Sequence, residues 1–414
     1  MPEGTEDRHR LKRSLSLPLT VLYGVGVTVG AGIYVLVGKV AGAAGLYAPL
    51  AFLLAALLAG FTACSYAELS SRFPKSAGEA VYVFEGFKRP WLSLAVGFGV
   101  LSTGTLSSAV IIAGYVGYLR LIVDLPDFAA VTLLTLVLAG IVIWGIRESV
   151  AVASLITLIE LSGLLMVVWA GSGTLFELPA QGALSSLWGA GASSLVWPGI
   201  WAGALLAFYA FIGFEDLANV AEEVRDPARN LPRAIALTLL VTAVFYFSIV
   251  VIAIRTLSPE TLGQSEAPLA DVFMALTGSD ARLLGLIAVL AVLNGVLIQL
   301  IMGSRMLYGL ADQKWLPGPF NYIWPRTQTP VIAIAAVAGA AWLLAVFFSV
   351  ENLAASTSYV TLAVFALVNA ALVRLKLVQS ASAKPDGFTV PLWVPVAGAA
   401  ASLGLLLINA AQAL

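Results

Sequence analysis

An all-α integral membrane protein is the fold class this sequence predicts, with about eleven spans. The first ten would form two five-helix repeats of opposite topology, with helices 1 and 6 discontinuous and one helix extra. Three observations predict it. Hydrophobic residues make up 60% of the chain and charged ones 11%, with a mean hydropathy of +0.95, far from the average soluble domain. The apolar runs are each close to the roughly 20 residues a helix needs to cross a hydrocarbon core of about 30 Å. Two of these runs, at matching positions of the two halves, are interrupted by glycine: Gly24-Val-Gly-Val-Thr-Val-Gly30-Ala31-Gly32-Ile33-Tyr34 and Phe208-Tyr209-Ala210-Phe211-Ile212-Gly213-Phe214-Glu215. Non-helical backbone at membrane depth is tolerated only where protein or a water-filled cavity surrounds it. Paired interruptions in an internal repeat point to a binding site between the repeats.

The spans fall at about 15–38, 45–66, 92–122, 128–146, 149–170, 196–220, 236–255, 282–309, 331–349, 353–374 and 390–412. The third and eighth exceed the required length, as tilted helices do. With the N-terminus in the cytoplasm, 18 of the 22 basic residues lie in inner segments and only Lys39, Arg120, Arg255 and Arg282 in outer ones, which sets the orientation by the positive-inside rule. The chain then divides into a cytoplasmic tail at 1–14, a first repeat at 15–170, a second, inverted repeat at 196–374 and an extra helix at 390–412, all in one transmembrane unit of the plasma or inner membrane. Arg8, Arg10, Lys12 and Arg13 ahead of the first run resemble the basic end of a signal peptide. The run that follows is too long and lacks a small-residue cleavage site, so it reads as the first span. Outer connections cover about 172–195 and 256–281, and Leu269–Leu276 in the second has the pattern of a short amphipathic surface helix.

Composition excludes several functions. A formal net charge of −1 carries no electrostatic footprint for nucleic acid. One cysteine, Cys64, and one histidine, His9 in the polar tail, rule out an intrachain disulfide, an intramembrane zinc site and a histidine-based triad. No His-Glu-x-x-His, no Gly-x-Ser-x-Gly and no redox-cofactor ligands are present, so no enzyme and no cofactor are expected.

The interruptions suit a zwitterion. Amides of Ala31, Gly32 and Ile33 after Gly30, at the start of a second half-helix, would face a carboxylate with the positive dipole end behind them. Carbonyls of Phe208, Ala210 and Phe211 before Gly213 would face an ammonium. The competing reading is that these glycines only let helices approach closely. Ser107 and Ser108 on span three and Gln299 on span eight are candidate polar wall residues. Glu160 in span five and Glu215 past the second interruption are the acids at membrane depth, where a charge is expensive. Each is a candidate for proton coupling, since desolvation favours the protonated carboxyl, and each has an equal alternative as a hydrogen-bonding tie between helices. Glu68, Arg72, Glu222, Glu223, Arg225 and Arg229 would sit at the inner mouth as gate or loop-fixing ion pairs.

Four stretches carry a family resemblance: Gly30-Ala31-Gly32-Ile33-Tyr34 with Gly38 and Ala41-Gly42; Tyr66-Ala-Glu68 through Arg72, Pro74 and Gly78 to Tyr82; Phe208–Glu215 continuing through Glu222-Glu223-Val-Arg225-Asp226-Pro227 to Ile235; and Gly303-Ser-Arg305 through Asp312 and Pro317 to Thr329-Pro330. In this order they resemble the amino acid–polyamine–organocation superfamily, nearest its cationic-amino-acid-transporter-like branch of prokaryotic permeases. The resemblance implies the leucine-transporter fold and secondary transport of amino acids, with an aromatic outer gate at Tyr209. It also implies, in some relatives, a lysine where this chain has Glu160, so a lysine mechanism does not carry over. The expected partners are an amino acid, protons and the bilayer. A polyamine or organic cation is the nearest alternative substrate, and a non-transporting nutrient sensor on the same fold the alternative of another class. With only Glu160 and Glu215 as acids in the core, the sequence favours a small or branched neutral amino acid.

Overall fold

The computed structural model describes residues 13, 15–75, 78–120, 125–144, 146–176, 197–265, 267–279, 282–312, 314–348, 350–378 and 387–413. Most of the basic tail and of the 172–195 connection lies outside them. The described residues are helical almost throughout, and nine helices are long and apolar enough to cross a membrane by length and composition. We number them α1 (Leu17–Ala44), α2 (Ala48–Arg72), α3 (Gly78–Phe87), α4 (Pro90–Arg120), α5 (Asp127–Trp144), α6 (Ile146–Ala170), α7 (Ser172–Phe176), α8 (Trp197–Phe211), α9 (Asp216–Asn219), α10 (Pro227–Thr256), α11 (Pro259–Gln264), α12 (Pro268–Thr277), α13 (Arg282–Asp312), α14 (Val331–Phe347), α15 (Val350–Val378) and α16 (Trp393–Ala413). The eleven expected spans correspond to α1, α2, α4, α5, α6, α8, α10, α13, α14, α15 and α16, of which α14 and α16 count as shorter apolar helices.

Part of the helix packing recurs when the two halves are exchanged. In the first half α1, α2, α4 and α5 pack respectively against α8, α10, α13 and α14 of the second. Three further sets of contacts come in matching pairs: α1 with α10 and α8 with α2, α4 with α15 and α13 with α6, α4 with α14 and α13 with α5. Helix α13 is the most enclosed of the nine. Large apolar side chains such as Leu136, Trp169 and Phe347 stand exposed on the outer helices, as an exterior facing hydrocarbon requires.

One expectation about the helices fails. Helix α1 runs unbroken for 28 residues from Leu17 to Ala44, straight through the glycine-rich stretch. Its glycines serve close approach instead. A Cβ at Gly26 would lie 2.0 Å from the Thr157 hydroxyl oxygen, and one at Gly32 3.1 Å from the Ala210 Cα. Small residues let membrane helices approach backbone to backbone. Gly30 and Ala31 are helical too, though their surroundings fall outside the description.

The second interruption is a true break. Helix α8 ends at Phe211, residues 212–215 turn, and the chain resumes as α9. Gly213 has φ +129°, a conformation that side-chain-bearing residues rarely adopt. A Cβ there would meet Val27 Cγ1 at 2.9 Å and the Val27 carbonyl carbon at 3.0 Å. The break therefore sits directly on the middle of α1.

Helix α1 is held at both ends. Before it, the Leu15 N–H donates to the Glu223 carbonyl and the Arg225 N–H donates to the Leu15 carbonyl, each at 2.9 Å. Beside this bridge, Arg305 of α13 pairs with Glu223 at 2.8 Å. At the other end the Lys39 ammonium reaches the Gly263 carbonyl at 3.3 Å. At the end of α2, buried Glu68 accepts from Arg72, from Lys376 of α15 at 2.7 Å and from the Val390 N–H at 2.7 Å, which fixes the approach to α16.

Candidate functional site

The break between α8 and α9 opens onto a small polar cavity. Four features build it. Helix α4 contributes Ser107 and Thr103, α13 contributes Gln299 and Met302, α15 contributes Thr361 and Phe365, and the α2–α3 corner contributes Tyr66 and Glu79. The floor is the break itself, through Ile212, Glu215 and Asp216. Glu215 is fixed by its neighbour, since the Gly213 N–H donates to its Oε2 at 2.8 Å. Asp216 accepts from the Gln299 side-chain amide at 3.4 Å.

Three expected residues, Ser107, Gln299 and Glu215, thus meet around one cavity. The others are placed differently. Ser108 turns its hydroxyl back to the Gly104 carbonyl at 2.9 Å. Phe208 packs edge-on against Phe365 with ring centres 5.8 Å apart, and Phe211 lies against Tyr246 at 5.0 Å. Tyr209 is half-buried, with its hydroxyl toward Ser107. Ile33 is wholly buried and Gly32 lies at the α1–α8 crossing.

The carbonyl expected to be free is already bound. The Tyr246 hydroxyl on α10 lies 2.8 Å from the Thr28 carbonyl oxygen, 3.3 Å from that of Val29 and 2.9 Å from that of Ala210. One donor is shared by α1 and the last turn of α8, where carbonyls lack helical partners. In this conformation the two helices are closed on each other at the position expected to hold a zwitterion.

Glu160 lies apart from the cavity, in a polar knot between α6, α13 and α1. Its Oε2 accepts from Asn294 at 3.3 Å, Asn294 also donates to Thr157 at 3.1 Å, and the Tyr34 hydroxyl donates to the Glu160 backbone carbonyl at 2.9 Å. Its other carboxyl oxygen is buried without a hydrogen bond among the described residues.

The sequence reading missed half of the acids. Glu79 of α3 and Asp216 join Glu215 around the cavity, so the premise of a core nearly free of acids does not hold, and the argument for a neutral substrate goes with it. Asp216 had a signal, since it follows Glu215 at the break. Glu79 stood in a segment read as a loop joining spans, and nothing in the sequence shows that α3 folds back beneath the break. Tyr246 occupies an ordinary position in an apolar run, and sequence alone gave no sign of its three carbonyls. Burial pushes the Glu79 carboxyl up to about 8, with the nearby Glu215 charge adding to the rise.

The comparisons with known proteins agree with this architecture. The family model described as "Amino acid permease" matches residues 15–412. The chain is 32% identical over 400 residues to a vacuolar cationic amino acid transporter of Arabidopsis thaliana, covering 91% of this chain and 61% of that protein. It is 32% identical over 376 residues to an uncharacterised transporter of Mycobacterium tuberculosis, covering 89% and 81%. It is 25% identical over 402 residues to the branched-chain amino acid permease BcaP of Bacillus subtilis, covering 91% and 83%. The chain spans between three fifths and two thirds of the length of the first three plant relatives. With residues 15–412 matched, a break between α8 and α9 and nine membrane-length apolar helices among the described residues, the chain belongs to the amino acid permease family.

Proposed function

We propose that the chain carries amino acids across a membrane by alternating access, on a leucine-transporter-type pair of inverted repeats. The observation that carries this reading is the break at residues 212–215, seated on the middle of α1 and open to a cavity lined by Ser107, Gln299, Glu215 and Asp216. Backbone leaves the helix at membrane depth only beside such a cavity. The exchange pattern of helix contacts supports two repeats, and the distribution of basic residues supports an inverted arrangement with the N-terminus, Arg72 and Arg305 on the cytoplasmic side of a bacterial-type inner or plasma membrane.

The Leu15–Glu223 bridge and the Arg305–Glu223 pair act as the inner closure, and opening to the cytoplasm parts them. Tyr246 acts as a latch across α1 and α8, released when a substrate takes over the carbonyls. The backbone of Gly30, Ala31, Gly32 and Ile33 then loosens to receive the carboxylate, while the carbonyls of Phe208, Ala210 and Phe211 receive the ammonium. Tyr209 over Ser107 closes the cavity from the other side.

The relatives' names, cationic amino acid transporter and branched-chain amino acid permease, bracket the substrate class. Transport is coupled to protons or runs as exchange, and Glu160 is one candidate carrier of the coupling. The test is uptake of labelled leucine and lysine into proteoliposomes, with and without an inward proton gradient, comparing the native chain with Glu160→Gln. Saturable uptake of either amino acid supports the reading. Acceleration by the gradient that Glu160→Gln abolishes, with exchange retained, assigns the coupling to Glu160. An absence of uptake and exchange for both amino acids overturns the reading, and polyamines become the next substrates to test.

A further inference from the structure

Beneath the helix break the chain buries three carboxyls where one would already be expensive. Glu79 is fully buried, Asp216 is 2% exposed and Glu215 is 8% exposed, and all three line the same cavity. The groups facing them are nearly all uncharged. Tyr66 of α2 and Tyr82 of α3 lie over Glu79, Thr103 and Ser107 come from α4, Gln299 from α13 and Thr361 from α15. Tyr23 of α1 faces Asp216, and the cation beyond it, Arg305, is already held by Glu223. Of the cations on α15, Lys376 is bound to Glu68, and Arg374 lies over the Phe87 ring.

Hydrogen bonding grades the three carboxyls. Glu215 holds the Gly213 N–H at 2.8 Å, the donor that best supports a negative charge. Asp216 has the longer Gln299 contact. Both oxygens of Glu79 are buried with no hydrogen bond among the described residues, and so are the Tyr66 and Tyr82 hydroxyls, both amide atoms of Asn219 and the Gln299 carbonyl oxygen. The Asn219 amide faces the Glu79 carboxyl without closing a hydrogen bond. Unpaired buried charges are strongly disfavoured, and neighbouring carboxyls without a cation do not ionise together. The described residues also place no three acids close enough to hold a metal ion. Their spread around the cavity suits protons on separate oxygens.

We propose that Glu79, Asp216 and Glu215 form a shared proton-binding cluster under the break, with Glu79 as the group that exchanges its proton with water. Glu79 rides on α3, a helix too short to span, which packs against α9 so closely that a Cβ at Gly78 would lie 2.8 Å from the Ala218 Cβ. Motion of the break relative to α3 wets or dries the Glu79 carboxyl. The transfer moves a proton from the carboxyl oxygen to water and back, and no other bond changes. This cluster is separate from the Glu160 knot on α6 and stands whether or not Glu160 titrates.

The test is an infrared pH titration of the carboxylic C=O band of the full chain in lipid, without substrate. It therefore reads the cluster even where uptake fails, and its own failure leaves the transport reading untouched. The native chain is expected to show a buried protonated carboxyl at pH 6 that is lost around pH 8. Glu79→Gln removes that step, Glu160→Gln leaves it in place, and Glu215→Gln moves it to lower pH by removing the like charge that faces Glu79. Glu215→Gln keeps the test informative where Glu79→Gln does not fold. Absence of a protonated carboxyl at pH 6, or a step unchanged in both Glu79→Gln and Glu215→Gln, overturns the proposal. Loss of the band on adding lysine or sodium chloride at constant pH also overturns it, since the cavity would then be a cation site.

Discussion

The Tyr246 hydroxyl donates at 2.9 Å to the carbonyl of Ala210, in the last turn of α8, and lies 2.8 Å from the carbonyl of Thr28 on α1. A single side chain on α10 therefore joins the two helices whose glycines the sequence marks out. Tyr246→Phe keeps the ring tilted against Phe211 and edge-on to Phe52 and removes only the donor. The expected loss is about 1–3 kcal/mol, the cost of leaving a buried acceptor unpaired. It should show as a lower melting temperature and faster amide exchange across residues 208–214. Unchanged exchange there would mean that the carbonyls are supported without Tyr246.

The backbone at Gly213 gives the sharpest contrast between two positive-φ glycines. Gly213 has φ +129° with Val27 2.9 Å from a would-be Cβ, whereas Gly45 has φ +58° and open space around it. Gly45→Ala is expected to cost about 1 kcal/mol, the conformational term alone. Gly213→Ala adds a collision with the α1 backbone and is expected to cost more than about 3 kcal/mol and to abolish uptake. Comparing the two melting temperatures in the same detergent checks this.

Much of the fold was legible because membrane insertion imposes its own grammar. Runs such as 236–255 and 331–349 are apolar on every face, and only a helix satisfies their backbone in lipid. Reading the site was harder because glycine has two uses that look the same in sequence. At Gly213 it supplies a forbidden φ and a real break, while at Gly26 and Gly32 it removes a Cβ so that Thr157 and Ala210 can come close. Ser107, Gln299 and Glu215 were found because polar groups at membrane depth are rare. Glu79 was missed because its importance depends on α3 folding under α9, a tertiary contact with no local pattern.

The Glu68 hub predicts how the last helix is held. Glu68 is fully buried and receives Arg72, Lys376 and the Val390 N–H at once. Glu68→Gln leaves two cations without their anion and turns an amide N–H₂ toward at least one of the donors. A loss of about 3 kcal/mol is expected, as for other broken buried pairs. It should be accompanied by easier proteolysis in the connection before Trp393. The control is Lys88→Ala, which breaks the exposed pair with Glu85 and should cost less than about 1 kcal/mol. Equal melting temperatures for the two variants would show that the network does not secure α16.

The pH dependence of stability follows from Glu79. The folded chain keeps its proton up to about pH 8, while the unfolded chain releases it around the ordinary value of 4.5. Between those values folding binds a proton, so this group's contribution is full below pH 4.5 and is lost as pH rises toward 8. Its slope is at most about 1.4 kcal/mol per pH unit. Glu79→Gln carries no such proton, so its melting temperature should fall less steeply than that of the native chain from pH 5 to 8, and the two curves should run parallel above pH 9. Parallel curves across the whole range would place the Glu79 carboxyl in water, in contradiction to its burial between Tyr66, Tyr82 and Asn219.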